Sequence, residues 1–261
     1  MVARETGIAE YLMGLGVAEP FEPRVERLLG LAEILRGEGV SRGMLGPNES
    51  ERVLTRHVLE SCGLFPFVNS GGPTVDVGSG AGLPGLPLAC LVDHEVTLLD
   101  AQERRVAFVR SVINRLGLTD VRAQHARAEE AGRGPLRETA DTVVARALAE
   151  PAVALELCLP LAAIGGRVAL AVSGRQVGSD EMRSSLASVA TELGGGPPSY
   201  EELRLPPALE ARAQTGAAES SSRTGFSAGD ESRLVMVVPK VVATADRYPR
   251  RAGVPGRRPL G

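Results

Sequence analysis

Apolar positions in the first seventy residues recur at helical spacing. Val25, Leu28, Leu29, Ala32 and Leu35 share one face of a helix over 23–36. Asn48, with Glu51 three residues on, predicts the capped start of a second helix. At Gly71-Gly72-Pro73 the pattern changes to short β-branched runs separated by helical ones. Thr74–Val77, Val96–Leu99, Val121–His125, Thr142–Ala145 and Val168–Val172 predict strands, with helices near 84–92, 101–116 and 149–163 between them. Strands alternating with helices build a parallel α/β sheet. Gly117, just past Val106, Val109, Ile113 and Leu116, predicts a left-handed helix stop, and Gly165-Gly166 predicts another ahead of the fifth strand. Ser179–Leu193 predicts a further helix, Tyr200–Leu205 a sixth strand and Ser232–Pro239 a seventh. Residues 206–230, rich in Ala, Ser, Gly and Pro and without a period, predict a mobile loop or insertion. The expected organisation is a helical extension over 1–70, an α/β core over 71–240 and a tail over 241–261.

Composition narrows the class. A chain of 261 residues, 43% apolar and 23% charged, is long enough for one large core with a small appendage and is not disordered by composition. Glu5, Glu10, Glu19, Glu22 and Glu26 interrupt the first thirty residues, and nowhere do about eighteen apolar residues run together. A soluble cytoplasmic protein, probing no membrane, is expected. Cys62, Cys90 and Cys158 lie far apart in apolar stretches, which suits reduced core thiols. They and the dispersed His57, His94 and His125 show no metal-ligand spacing, so no metal is expected. The net charge of −3 hides an uneven distribution: over 240–261, Lys240, Arg247, Arg250, Arg251, Arg257 and Arg258 face Asp246 alone.

The candidate chemistry lies at Asp76-Val-Gly78-Ser-Gly80-Ala-Gly82-Leu83-Pro84-Gly85, where a strand runs directly into a glycine loop. Glycines there let the backbone adopt positive φ and approach a ligand closely, and Pro84 preorganises the following helix. Gly80-Ala-Gly82-Leu-Pro-Gly85 formally satisfies the dinucleotide pattern. The acids favour a different ligand. Asp76, two residues before the first glycine, would repel a pyrophosphate but can receive a cationic amino group, directly or through the loop. Asp100, closing the next strand 24 residues later, can accept both hydroxyls of a ribose. This pair suits S-adenosylmethionine better than NAD. The proton donor of a dehydrogenase is also missing, since Lys240 is the lone lysine and none of Tyr11, Tyr200 and Tyr248 has a lysine four residues on.

These residues, together with Thr97-Leu-Leu-Asp100, Arg104-Arg105, Arg127-Ala-Glu-Glu130, Ala145-Arg-Ala147, Arg56-His57 and the tail Tyr248-Pro-Arg-Arg-Ala-Gly-Val-Pro-Gly-Arg-Arg-Pro-Leu260, resemble the small-subunit ribosomal RNA guanine-N7 methyltransferases, the glucose-inhibited division protein B family. The resemblance spans about residues 40–260. It implies a Rossmann-like class I methyltransferase with a mostly parallel seven-stranded sheet, using S-adenosylmethionine to methylate a guanine in the decoding-region loop of 16S rRNA. Cofactor contacts carried over with it fall on Gly78, Leu83, Ala128, Glu129 and Arg146, to which the loop and ribose arguments add Gly80 and Asp100. Departures concern the RNA side: Gly43-Met-Leu-Gly-Pro47 stands where relatives show Asn-Leu-Thr, Glu60 replaces an Asp, and Ser173 stands for a lysine.

Guanine N7 carries a lone pair and no proton, so attack on a sulfonium methyl needs no general base, and none is assigned. The expected partner is 16S rRNA or the small ribosomal subunit, met by a monomer. Arg56 and His57, and Arg247, Arg250, Arg251, Arg257 and Arg258 of the tail, are the candidate RNA contacts; His57 could equally be a core histidine, and the tail a solvated terminus. With aromatics at 3% and no Trp, recognition by RNA shape and phosphate position is expected over base stacking. A non-catalytic ribosome-assembly protein and a small-molecule methyltransferase remain the alternatives, separable by cofactor binding and by RNA dependence.

Overall fold

The computed structural model describes residues 3–206 and 233–261. Seven strands form one sheet in the order β3-β2-β1-β4-β5-β7-β6. They are β1 (Thr74–Val77), β2 (Val96–Asp100), β3 (Val121–His125), β4 (Ala140–Arg146), β5 (Ala162–Ser173), β6 (Ser199–Glu202) and β7 (Arg233–Pro239). β1 to β5 pair in parallel, and β7 runs antiparallel between β5 and β6. Every residue of β1 and β2 is buried, as expected of strands covered on both faces. The predicted strands are thus all present, although β5 begins six residues before Val168. From residue 207 onward the predicted loop lies outside the described residues.

Helices cover both faces. On one, α1 (Ala3–Gly14), α2 (Glu22–Ile34) and the helical stretch 47–62 share a core with α4 (Gly85–Ala89) and α5 (Glu103–Leu116); Leu12, Leu28, Leu31, Val58, Leu86, Leu98 and Phe108 meet there. The stretch 47–62 comprises a 3-10 segment Pro47–Arg52, a π-helical segment Val53–Leu59 and α3 (Glu60–Cys62). On the other face, α6 (Ala128–Ala131) leads to α7 (Pro151–Cys158), and α8 (Gly174–Val177) to α9 (Asp180–Glu192). Leu155, Cys158, Leu186 and Val189 pack there on Val75, Val77 and Val143. Each such side chain removed from water contributes roughly 1.5–3 kcal/mol. Gly117 caps α5 at φ +63°, with Leu118 N donating to Ile113 O, the left-handed stop that its position predicts.

Two local expectations are corrected. Asn48 is not a cap: the helical stretch starts from Gly46, with Pro47 at its first position, where the fixed proline φ suits a helix start and no amide hydrogen is missed. Gly165 does not end a helix. It lies inside β5 at φ +87°, where pairing jumps from Ala140↔Ala162 to Thr142↔Arg167, and positive φ accommodates that irregularity.

After β7 the chain folds back on the second face instead of projecting from it. Tyr248 is buried in that core, Pro255 is buried in the short helix α10 (Val254–Arg257), and Arg133 and Arg137 donate to the carbonyls of Pro249 and Tyr248. The lone lysine, Lys240, is fully enclosed: its Nζ donates to Leu159 O (3.0 Å) and pairs with Glu138 (3.2 Å).

Candidate active site

β1 lies mid-sheet between β2 and β4, so its carboxyl end opens where the strand order reverses, the crevice in which open α/β sheets bind ligands. The glycine loop leaves from there. Gly78 N and Ser79 N both donate to Leu99 O (2.9 Å), fastening the start of the loop to the end of β2. Gly78, Gly80 and Gly82 have φ of +72°, +58° and +92°, conformations that glycine adopts without strain. The three face different surroundings. A Cβ on Gly78 would lie 2.4 Å from Leu148, and one on Gly82 2.3 Å from Leu86, whereas one on Gly80 would find only Gly78 O at 3.9 Å. Gly80 therefore borders the open side of the loop.

Both acids brace this loop. Asp100, 4% exposed, accepts from Gly80 N through Oδ2 (2.9 Å) and from Gln102 N through Oδ1 (2.8 Å), with Arg105 3.5 Å from Oδ2. Asp76 is fully buried; its Oδ2 accepts from Gly85 N (2.8 Å), and its Oδ1 is buried without a partner. Burial pushes the Asp76 carboxyl up to about 7, opposed by the Gly85 N–H and reinforced by the charge on Asp100. Its Oδ1 is thus an enclosed acceptor whose hydrogen-bonding capacity is unmet.

At the end of β4, Ala147 is held at φ +51°, and Leu148 packs against Gly78. Arg146, just before them, turns its guanidinium to the N-terminal helices. It donates to Arg56 O (3.0 Å), Ser61 Oγ (3.0 Å) and His57 O (3.4 Å), and pairs with Glu60 Oε1 (3.2 Å). Two of those carbonyls belong to the π-helical segment, a geometry that recurs at functional sites. Glu60, itself buried, holds Arg233 of β7 through its other oxygen (2.9 Å). His57 bonds Glu49 through Nε2 (2.8 Å); burial holds its pKa below the ordinary value, against the pull of Glu49. The structure thus joins Arg56, His57 and Arg146 in one cluster next to the glycine loop.

On the other side, Ala126 N donates to Asp100 O (3.2 Å), which sets α6 beside the tip of β2. Ala128 and Glu129 open this helix, and Glu129 Oε1 accepts from Gly253 N (2.9 Å) in the tail. The tail arginines divide. Arg250 forms a fork with Glu156, whose side chain is fully buried: its Nε lies 2.8 Å from Oε1, and its backbone N also donates to Oε1 (2.9 Å). Arg247 lies over the Tyr248 ring and 3.4 Å from Glu192, while Arg251, Arg257 and Arg258 are exposed. Arg250 is therefore engaged by a buried acid, Arg247 only by an exposed one, and the other three lie exposed. The sequence reading named Glu60 only as a departure from relatives and Gly253 only within the tail motif, and assigned neither a contact with the residues they bond here.

The three cysteines are buried free thiols. Among the described residues, no group of three His, Cys, Asp or Glu is placed to hold a metal ion, and no helix is long and apolar enough to cross a membrane.

The family model described as GidB, rRNA small subunit methyltransferase G, matches residues 24–192. The ribosomal RNA small subunit methyltransferase G of Alkaliphilus metalliredigens is 33% identical over 241 residues, covering 91% of each chain. The protein of that name in Roseiflexus sp. is 34% identical over 241 residues, 91% of this chain and 92% of the relative. Among solved structures, the geranyl diphosphate C-methyltransferase of Streptomyces coelicolor A3(2), in complex with Mg2+, geranyl diphosphate and S-adenosyl-L-homocysteine, aligns with a TM-score of 0.52 at 15% identity, over 77% of this chain and 88% of that one. At that identity the likeness concerns the fold alone.

Proposed function

The chain belongs to the rRNA small subunit methyltransferase G family, and from that premise we propose that it transfers the methyl group of S-adenosylmethionine to N7 of a guanine in the decoding-region loop of 16S rRNA. The observation that carries the reading is the glycine loop braced by Asp76 and Asp100 in the switch crevice, with Arg146, Arg56 and His57 on its flank. Two features fit the cofactor: the orphaned, buried Asp76 Oδ1 and the open side of Gly80.

S-adenosylmethionine supplies an electrophilic sulfonium methyl. The chain's own residues bind and orient. Gly78, Gly80 and Leu83 offer backbone at close approach; Asp76 answers the amino group through its free oxygen or through the loop it holds, and Asp100 answers the ribose hydroxyls. Ala128 and Glu129 line the adenine side, where a carboxylate suits an exocyclic amine. Arg146 fixes the π-helical segment that carries Arg56 and His57 toward the RNA. N7 of guanine has no proton to lose, so no residue serves as general base, and alignment alone accounts for on the order of 7–11 kcal/mol of a barrier. Exposed Arg251, Arg257 and Arg258 suit phosphates. The reading keeps the expectation of a monomeric, cytoplasmic enzyme that needs no metal.

The test is methyl transfer from labelled S-adenosylmethionine to isolated small ribosomal subunits and to protein-free 16S rRNA, with the product mapped by mass spectrometry. A single 7-methylguanine in the decoding-region loop is expected. Tight cofactor binding without transfer to either RNA would overturn the acceptor assignment, and absence of cofactor binding would favour an assembly protein.

A further inference from the structure

The tail was expected to act through its charge, but Arg250 and Gly253 bond to acids of the core. Arg250 places a guanidinium fork and its own backbone N–H on Glu156, a carboxylate with no exposure. Pro249 packs against Gly132, which follows α6 directly, so closely that a Cβ on Gly132 would lie 3.1 Å from it. Three residues beyond Arg250 the chain turns at Gly253, φ +78°, and this turn aims the Gly253 N–H at Glu129 Oε1, 2.9 Å away. One oxygen of Glu129 is thereby fixed by a residue 124 positions away, and the other is left to accept from a ligand.

We propose that the C-terminal segment is a positioning element of the cofactor site: Gly253, anchored through Arg250 on Glu156, orients the Glu129 carboxylate by its backbone N–H. The inference rests on the reading that Glu129 contacts the cofactor. It assigns Gly253 a role in affinity for S-adenosylmethionine that is independent of RNA. The left-handed turn is the sensitive point, because the space around Gly253 is open, with only Arg257 Nη2 3.9 Å from a built Cβ. A substitution there meets backbone strain and no clash. β-Branched residues tolerate that φ worst, and asparagine tolerates it best among residues with a side chain.

The experiment is calorimetric titration of the full-length protein with S-adenosylmethionine in the absence of RNA, for wild type, Gly253→Val, Gly253→Asn and Glu129→Ala, with melting temperatures recorded alongside. Gly253→Val should weaken binding roughly threefold to tenfold, the scale of one typical net hydrogen bond. Gly253→Asn should restore affinity to within about twofold, the rescue that retained left-handed geometry allows. All should stay folded, because Tyr248 and the Arg250–Glu156 pair remain. Wild-type affinity in Gly253→Val alongside weakened binding in Glu129→Ala would overturn the positioning role. Wild-type affinity in Glu129→Ala would instead overturn the assignment of Glu129 to the cofactor. Equal weakening by Val and Asn would also refute the inference, since conformation at Gly253 would then not be what matters.

Discussion

Two glycines of the same loop should fail in opposite ways when a single methyl group is added. Gly80 sits at φ +58°, and a Cβ there meets nothing closer than Gly78 O at 3.9 Å. Gly80→Ala therefore carries only the left-handed backbone penalty, roughly 1–2 kcal/mol. For a chain of this size that lowers the melting temperature by about 2–8 °C, at about 2–4 °C per kcal/mol. Gly82 sits at φ +92°, and its Cβ would lie 2.3 Å from Cδ1 of Leu86, a side chain with no exposure. Gly82→Ala adds overpacking of roughly 1–3 kcal/mol to a backbone penalty at least as large, for a total of roughly 2–5 kcal/mol. Binding should rank the other way. The methyl group of Gly80→Ala projects into the open side of the loop, where the cofactor backbone approach is assigned, so affinity for S-adenosylmethionine should fall on the order of tenfold or more, 1.4 kcal/mol per decade. Differential scanning fluorimetry and calorimetric titration of both variants decide the matter. Gly80→Ala binding like wild type would show that no ligand passes that face, and equal stability losses would refute the assignment of the Leu86 contact.

Three further outcomes follow from the same geometry. Asp100→Ala should weaken S-adenosylmethionine binding and also cost about 1–3 kcal/mol of stability, because the Gly80 and Gln102 N–H groups lose their acceptor; unchanged affinity by calorimetry would sink the ribose assignment. Asp76 has its folded pKa raised to about 7 from 3.8, so its ionised form is a burden that sets in as pH rises between those values and is complete above them. The melting temperature of D76N minus that of wild type, both without cofactor, should accordingly increase from pH 5 to pH 8, and a difference independent of pH would show that the carboxyl is not raised. Replacing Arg257 and Arg258 together by Ala should reduce the slope of log affinity for RNA against log salt by about 1.5, at 0.7–0.9 per phosphate contact, while leaving cofactor affinity in the absence of RNA unchanged. An unaltered slope would remove both from the RNA interface.

Legibility in the sequence followed the range of the interaction. Strands β1 to β4 and the Gly117 cap were readable because their causes are local: β-branched runs of the right length, and a glycine one residue past an apolar helical face. The glycine loop was readable for the same reason, since its strand, glycines and first acid are contiguous. Gly165 misled because a positive-φ glycine serves a helix cap and a strand irregularity alike, and the register jump beside Ala140 that decides between them is a property of two strands. Asn48 misled because Pro47 offered a competing helix start one residue earlier. Arg146 was singled out as a cofactor contact, whereas the partners its guanidinium holds were not foreseen: Arg56, His57, Glu60 and Ser61 reach it across 85 or more residues, and no spacing in the chain encodes that meeting.

The tail shows why charge counted along a chain differs from charge available to a partner. The cations over 240–261 looked like one basic block, yet Lys240 is taken by Glu138 and Arg250 by Glu156, both acids outside that stretch, while Arg247 keeps an exposed pair with Glu192. A buried pair such as Arg250–Glu156 adds little net stability when compared with an apolar substitute, but removing one partner strands a charge and costs roughly 3–5 kcal/mol. Such a pair fixes where a segment lies. With Arg250 fixed, Gly253 reaches Glu129, and the exposed cations beyond it reduce to Arg257 and Arg258, together with Arg251 just before the turn. The same twelve residues, 247–258, can therefore serve the cofactor through their backbone and RNA through their exposed side chains. Substitutions at Gly253 and at Arg257 and Arg258 should separate these two roles within one protein.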